Sequence, residues 1–455
     1  MKPGKIDTTK ALLALTLALL FLSSLAQQYL GHTKSPPNVD FYVYFMTGEI
    51  LHQDRHANIY EGATGENPQM RSAPATSALF DHARSAGLDD IDLYLYPPLL
   101  ADLFAPLPKV PAHLAADLWR AFNIGLVLIS VLLLARMLSI PVLTFEFAVL
   151  AVAAFSFFPI HESIFLGQIT ICLLALWTVG IVAYFDDLIV LSAAAFAVAT
   201  VFKVTPVLVV PLFLIWKDRR WLVSYLGILL GLVAAMAAIN GFQVLSIYPS
   251  VMSSMGGGIP AMANKSLSSL VAWMFYGKVF TMDSVLDVTA NPLRSISVVS
   301  KILSGLFYST CLFFVWRSRH VNRESKTSII AVFAIVATCV SPVAWRHGYS
   351  VAFIALAVFW VKAMRLPTRK YRLVLLSLTA SVVGCFFFDL APLAPLPQPL
   401  RIIMASLWVV LCILFCLDTL YNVNRDHPES ARAPEFPQSG TDASSSAAGV
   451  AHAHS

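Results

Sequence analysis

Apolar positions in this chain come in long unbroken runs, near 11–30, 118–138, 143–160, 168–184, 188–202, 205–216, 221–241, 298–316, 327–345, 348–363, 373–390 and 402–421. A helix that crosses a bilayer needs about 20 such residues, whereas a membrane β-barrel is written in short alternating segments. The pattern therefore predicts an all-α, polytopic transmembrane helical bundle of about 12 spans. The first run follows Lys2, Lys5 and Lys10 and passes through Ser23, Ser24 and Ala26. A signal peptide shares that basic start, but the length of the run favours an uncleaved first span. Tyr94-Leu-Tyr-Pro-Pro-Leu-Leu opens a shorter stretch that ends at Pro106-Leu-Pro108 and reads as a re-entrant or interfacial element. The pair of runs from 188 to 216 is short and broken at Lys203-Val-Thr-Pro206, the kind of interruption where membrane proteins place polar sites.

The polar segments between the runs set the organisation. Residues 1–421 are expected to form one membrane-embedded domain with two large loops, 31–93 and 242–297. Residues 422–455, with Ser444-Ser-Ser-Ala-Ala and a terminal His-Ala-His-Ser, have the composition of a disordered tail. The first loop carries nine acidic residues, Asp40, Glu49, Asp54, Glu61, Asp81 and Asp92 among them, against Lys34, Arg55, Arg71 and Arg84. Basic residues gather elsewhere, at Lys217, Arg219 and Arg220, at Arg317, Arg319, Arg323 and Lys326, and at Lys362, Arg365, Arg369, Lys370 and Arg372. Short loops rich in Lys and Arg stay on the cytoplasmic side, so the acidic loop and 161–167, 203–205, 242–297, 345–348 and 391–401 are expected outside.

Composition agrees with the pattern. Of 455 residues 58% are hydrophobic and only 13% are charged, with a mean hydropathy of +0.72, where ordinary globular chains carry about a quarter charged residues. That excludes soluble domains, disulfide scaffolds and nucleic-acid binders. The chain is expected in the cell (cytoplasmic or inner) membrane as a multi-pass protein. Cys172, Cys311, Cys339, Cys385, Cys412 and Cys416 all lie within apolar runs and read as small core residues.

On the assigned outer side a short list of polar groups remains. Asp40 stands in Asn38-Val-Asp-Phe-Tyr-Val-Tyr-Phe, His161, Glu162 and Gln168 open a span, Lys203 sits in the broken hairpin, and Ser341-Pro-Val-Ala-Trp-Arg-His347 closes another. Ionisable groups at membrane depth are costly and mark pathways, ligands or catalysis. Each also has a plain structural explanation. Asp40 is one of nine loop carboxylates, though Phe41, Tyr42, Tyr44 and Phe45 would strip water from it and raise its basicity. Lys203 either snorkels to headgroups or meets an anionic phosphate. Arg346 has the same two readings, a lone His347 is more often structural than catalytic, and Pro97-Pro98 is a helix-start device.

Taken in order, Asp40, Tyr96-Pro-Pro-Leu, Gly167-Gln168, Lys203-Val-Thr-Pro206, Asn264-Lys-Ser-Leu267 and Ser341-Pro-Val-Ala-Trp345 with His347 resemble glycosyltransferase family 87 over roughly residues 10–420. The resemblance implies a GT-C-like fold and transfer of a sugar, mannose by default, from a polyprenyl-phosphate donor to a hydroxyl of a glycan or glycolipid at the outer face of the bilayer. It implies single displacement with inversion, Asp40 as the general base and Lys203, Arg346 and His347 around the donor phosphate. Tyr96, Gln168, Asn264, Lys265 and Trp345 are the implied substrate contacts. Two positions depart from the family pattern. Arg346 stands where the first of two histidines is usual, and Lys265 where an uncharged Gln is usual, and both add positive charge to the outer face. The leaving group is a lipid monophosphate, so neither a metal nor another cofactor is demanded, and no metal-ligand spacing occurs.

Two other classes share a many-spanned architecture. A transporter or flippase of lipid-linked or anionic solutes should show inverted repeats and charges along both halves of its path, and an O-antigen-type polymerase or ligase tends to carry its large arginine-bearing loop late in the chain. Here the acidic loop directly follows the first span, which favours the transferase.

Overall fold

The computed structural model of the chain describes residues 37–55, 57–61, 78–88, 91–107, 110–254, 259–280, 294–365 and 397–425. Among them every regular element is helical, and the strand-like pairings are two isolated bridges, Ala261 with Phe280 and Asn264 with Trp345. The helices are α1 (Val39–Gln53), α2 (Ala78–Ser85), α3 (Pro98–Phe104), α4 (Ala112–Met137), α5 (Phe145–Ser156), α6 (Phe158–Leu166), α7 (Thr170–Phe185) and α8 (Ile189–Phe202). A 3₁₀ turn, Thr205–Val209, leads into α9 (Val210–Ile215), followed by α10 (Arg219–Asn240), α11 (Phe242–Ser254), α12 (Leu267–Tyr276), α13 (Arg294–Arg317) and α14 (Arg323–Val340). A second 3₁₀ segment, Arg346–Ala352, continues into α15 (Phe353–Arg365), and α16 (Gln398–Arg425) closes the described chain.

α4, α10, the 295–317 part of α13 and the 398–423 part of α16 are long and apolar enough to cross a membrane. The pair α5 and α6, bent by 53°, makes a fifth if it is one span. The bend falls at Phe157, and Pro159 just beyond it lacks the N–H that would continue the helix.

A count of about 12 spans is thus not reached among the described residues, and the reason is physical. The runs at 168–184, 188–202 and 205–216 form α7, α8 and the 3₁₀ turn with α9, and at about 1.5 Å per residue α8 is only about 21 Å long. α7 packs between α4 and α8, and α8 against α10, so protein rather than lipid covers most of their apolar surface. A continuous apolar run looks the same in either environment. The stretch at 94–108 is indeed too short to span: α3 has seven residues, starts on Pro98 and packs on α1. There Gly48 lets the backbones meet, since a Cβ would stand 2.7 Å from the Cβ of Phe104 and 2.9 Å from the Ala101 carbonyl. The expected loop 242–297 carries α11 and α12. The runs near 11–30 and 373–390 and almost all of the tail lie outside the described residues.

Two ends of the bundle are chemically different. At one, Asp186 meets Arg136 at 2.8 Å and Arg323 at 3.9 Å, Lys362 meets Glu324 at 3.2 Å, and the Lys326 ammonium lies 5.0 Å from the Trp216 ring centre. At the other, α8 stops at Lys203, α7 starts just after Gln168 and α14 stops before Ser341. Three helices therefore run from the basic end to the end that holds the candidate residues.

Candidate functional site

Local geometry seats Asp40. Asn38 adopts a left-handed conformation (φ 60°), which breaks the backbone direction one residue before α1. Its N–H donates to the Phe165 carbonyl at 2.9 Å, and the Arg120 guanidinium donates to its Oδ1 at 3.2 Å. Gly167 ends α6 with φ 71°, and a Cβ there would lie 2.6 Å from the Cβ of Phe41, so both torsion and space demand glycine. The Trp119 indole donates to the Gly167 carbonyl at 2.8 Å. These contacts press the start of α1 onto the end of α6 and set the Gln168 side chain beside the Asp40 carboxyl, whose charged form it favours.

Around that pair the hydroxyls of Tyr44 and Tyr96 donate to Gln168 Oε1 at 3.0 and 3.2 Å. Asp40 is half-buried. Loss of water, reinforced by the nearby charge of Asp92 and also by Glu162, pushes its carboxyl up to about 8 against the pull of the Gln168 hydrogen bond and of Lys203. Lys203, in extended backbone beyond α8 and half-buried, is pushed down to about 8 by burial while Asp40 opposes the shift. Asp40 and Lys203, remote in the chain, thus face each other in one half-sheltered site.

The second wall comes from α6 and the 3₁₀ segment Arg346–Ala352. Glu162, on the buried face of α6, forms an ion pair with Arg346, whose guanidinium also lies 5.2 Å from the Phe158 ring centre. Gly348 packs close to the Lys203 ammonium. His347 is buried, and its Nε2 has no hydrogen-bond partner among the described residues. Burial, then the charges of Lys203 and Arg346, hold its pKa well below the ordinary histidine value, so the ring is neutral at ordinary pH. The Ser163 hydroxyl ties the wall together, meeting the Thr170 and Ser350 hydroxyls at 2.8 Å each. A small cavity of about 20 Å³, enough for one water, opens beside Lys203 between Thr205, Thr338, Ser341 and Gly348.

Asn264 is fully buried and its amide is committed to backbone: its oxygen accepts from the N–H groups of Ala344 and Ser266, and its nitrogen donates to the carbonyls of Ile259 and Pro342. It braces the loop before α12 against the one after α14, with Trp345 bridged to it. Lys265 is buried beneath this brace, its ammonium 5.9 Å from the Trp273 ring centre and its carbonyl accepting from Tyr349 at 2.7 Å. The structure therefore brings Asp40, Tyr96, Gln168, Lys203, Arg346 and His347 together, and places Asn264 and Lys265 in the scaffold that carries Trp345 and Arg346.

Tyr44, Asp92 and Glu162 join the candidate site, although from sequence Tyr44 is expected only to keep water from Asp40, Glu162 is only one of the outer-side polar groups and Asp92 has no assigned role. Glu162 has a signal, being an acid in the short segment between two apolar runs. The Tyr44 hydroxyl has none, because a tyrosine in an aromatic stretch reads only as apolar cover for its neighbour. Among the described residues no group of three His, Cys, Asp or Glu side chains is placed to hold a metal ion.

The model of glycosyltransferase family 87 matches residues 94–342, over half of the chain, a segment that includes Tyr96, Gln168, Lys203, Asn264 and Lys265. No curated protein matches the chain.

Proposed function

Because the chain belongs to glycosyltransferase family 87 and is thereby a membrane glycosyltransferase, we propose that it moves a sugar, mannose by default, from a polyprenyl-phosphate donor to a hydroxyl of a glycan or glycolipid. The basic end faces the cytoplasm and the site opens to the periplasm or exterior. The observation that carries this reading is the opposition of one carboxylate with raised basicity, Asp40, and one ammonium, Lys203, at the end of helices shorter than the bilayer. The hydrocarbon core is about 30 Å thick, so with its basic end at one boundary an α8 of about 21 Å ends about 9 Å beneath the opposite headgroups. A phosphate carried on a lipid reaches that depth without leaving the membrane.

In the proposed reaction the acceptor oxygen forms a bond to the anomeric carbon as the bond from that carbon to the phosphate oxygen breaks. The acceptor proton passes to Asp40, and the electron pair of the broken bond leaves on the polyprenyl phosphate. A carboxylate whose pKa lies near working pH suits proton acceptance in the transition state. Lys203 faces the charge that grows on the leaving phosphate, where electrostatic help is worth most. No hydrogen bond or close ion pair ties down its ammonium among the described residues. Arg346 is already balanced by Glu162, and a neutral His347 offers a ring N–H rather than a charge. Tyr96 and Trp345, both half-buried, remain the surfaces for substrate.

A donor panel tests this reading. Purified protein should transfer label from a polyprenyl-phosphate sugar and not from the matching sugar nucleotide, and Lys203→Ala should lower the rate by about 10²-fold or more. Transfer from the sugar nucleotide alone would overturn the lipid-donor proposal.

A further inference from the structure

A glutamine amide can present either end to a neighbour, and its orientation follows from what surrounds it. At Gln168 the surroundings leave one choice. The Tyr44 hydroxyl donates to Gln168 Oε1 at 3.0 Å. Tyr96 donates to the same oxygen at 3.2 Å. Burial keeps both tyrosines as neutral phenols, and their rings brace each other edge to face with centres 5.0 Å apart. With both lone pairs of Oε1 occupied, the end left for Asp40 is the NH₂. The backbone cannot swing away either, since the Gln168 N–H is bonded to the Ser163 carbonyl at 2.8 Å and Gly167 is wedged against Phe41.

We propose that Tyr44 and Tyr96 lock the Gln168 amide so that it donates to Asp40, making Gln168 a positioning residue that fixes the carboxylate's direction and the pH at which it takes up a proton. The inference rests on Asp40 being the base, and it gives Gln168 and Tyr96 a task on the enzyme's own side of the reaction.

The other groups facing this end of α1 are accounted for. Asp92 and Glu162 raise the proton affinity of Asp40, and Lys203 lowers it. On α4, Arg120 bonds Asn38; on α3, Asp102 is held by Arg55 and Asn240; on α2, His82 is held by Glu49; and His161 on α6 is lowered by burial. A donated N–H favours the charged carboxylate, so removing it must raise the protonation midpoint of Asp40.

Infrared titration of the full-length protein in lipid, with Asp40→Asn subtracted to isolate the Asp40 carboxyl band, reads that midpoint directly. Gln168→Leu should move it up by about one pH unit. The double variant Tyr44→Phe with Tyr96→Phe keeps the rings but frees the amide to turn its oxygen toward Asp40, and should move the midpoint the same way. The acidic limb of the transfer rate should follow in both. An unmoved midpoint in Gln168→Leu, or movement there with none in the double phenylalanine variant, overturns the lock. The titration is independent of turnover: if Asp40→Asn still transfers sugar the base assignment fails, whereas the band reports the hydrogen-bond arrangement regardless.

Discussion

Asp40 is a carboxyl group placed where its charged form is disfavoured, and the pH behaviour of the protein follows from that. Its pKa is raised to about 8, so between its ordinary value and about 8 the folded state binds more protons than the unfolded chain. Folding stability attributable to this group is therefore full at low pH and is lost as pH rises through about 8. Asp40→Asn removes the penalty, and its unfolding temperature should exceed that of the parent at pH 9 more than at pH 5. Activity runs the other way on the acid side, because the base must be deprotonated, while Lys203 must stay charged and is lowered to about 8. The two titrations are coupled, so kcat/KM for the donor should give a narrow bell centred near pH 8 whose limbs belong to the pair. A flat profile from pH 6 to 10 would contradict this. Both residues stand out as candidates in the sequence, Asp40 by its aromatic surround and Lys203 by the broken hairpin, and each also has an inert explanation there. Tyr44 does not stand out, since only its hydroxyl matters and nothing local reveals where a hydroxyl points.

At the level of elements, the site is a seam between α1, α6 and the 3₁₀ segment Arg346–Ala352. The Glu162 and Arg346 pair holds that seam, with side chains only 6% and 14% exposed. Removing one partner of a buried pair leaves the other charge uncompensated and costs about 3–5 kcal/mol. Arg346→Ala and Glu162→Gln should each be strongly destabilising, while the double change should cost much less than their sum in thermal unfolding. Strict additivity would show that the pair is not coupled. This partnership explains the extra positive charge that the sequence shows at Arg346. The positive charge that the sequence shows as a departure from the family pattern is matched in the structure by an acid 184 positions away, a separation no local motif can span. Asn264 shows the same limit in another form. An amide in a polar loop reads as a ligand contact, but four backbone groups claim it, and only tertiary structure shows that the loop is folded inward.

On the scale of the molecule, α7, α8 and α14 connect a basic end to the site, and the charges distributed along the chain become a sided pattern. The acidic segment after the first apolar run and the basic clusters are readable from charge alone, and the side of the membrane on which each lies is a proposal. The span count is not readable from sequence, because helices buried in protein and helices facing lipid are equally apolar there. Sidedness has a direct readout. Cysteines introduced at the exposed Ala86 and at Arg319 should label with a membrane-impermeant thiol reagent from opposite sides, Ala86 from outside in intact cells and Arg319 only after the membrane is opened. The five described native cysteines are buried and give a low background. Labelling of both from the same side would invert or abolish the proposed orientation.

In the proposed reaction Asp40 accepts the proton of the acceptor hydroxyl at the tip of this bundle. The most direct test is single-turnover transfer from a labelled polyprenyl-phosphate sugar by purified Asp40→Asn, at pH 8, with folding verified by thermal unfolding and donor binding measured separately. The expected rate is at least about 10²-fold below the parent with donor affinity retained. Transfer within a few-fold of the parent by a folded, donor-binding variant would contradict it.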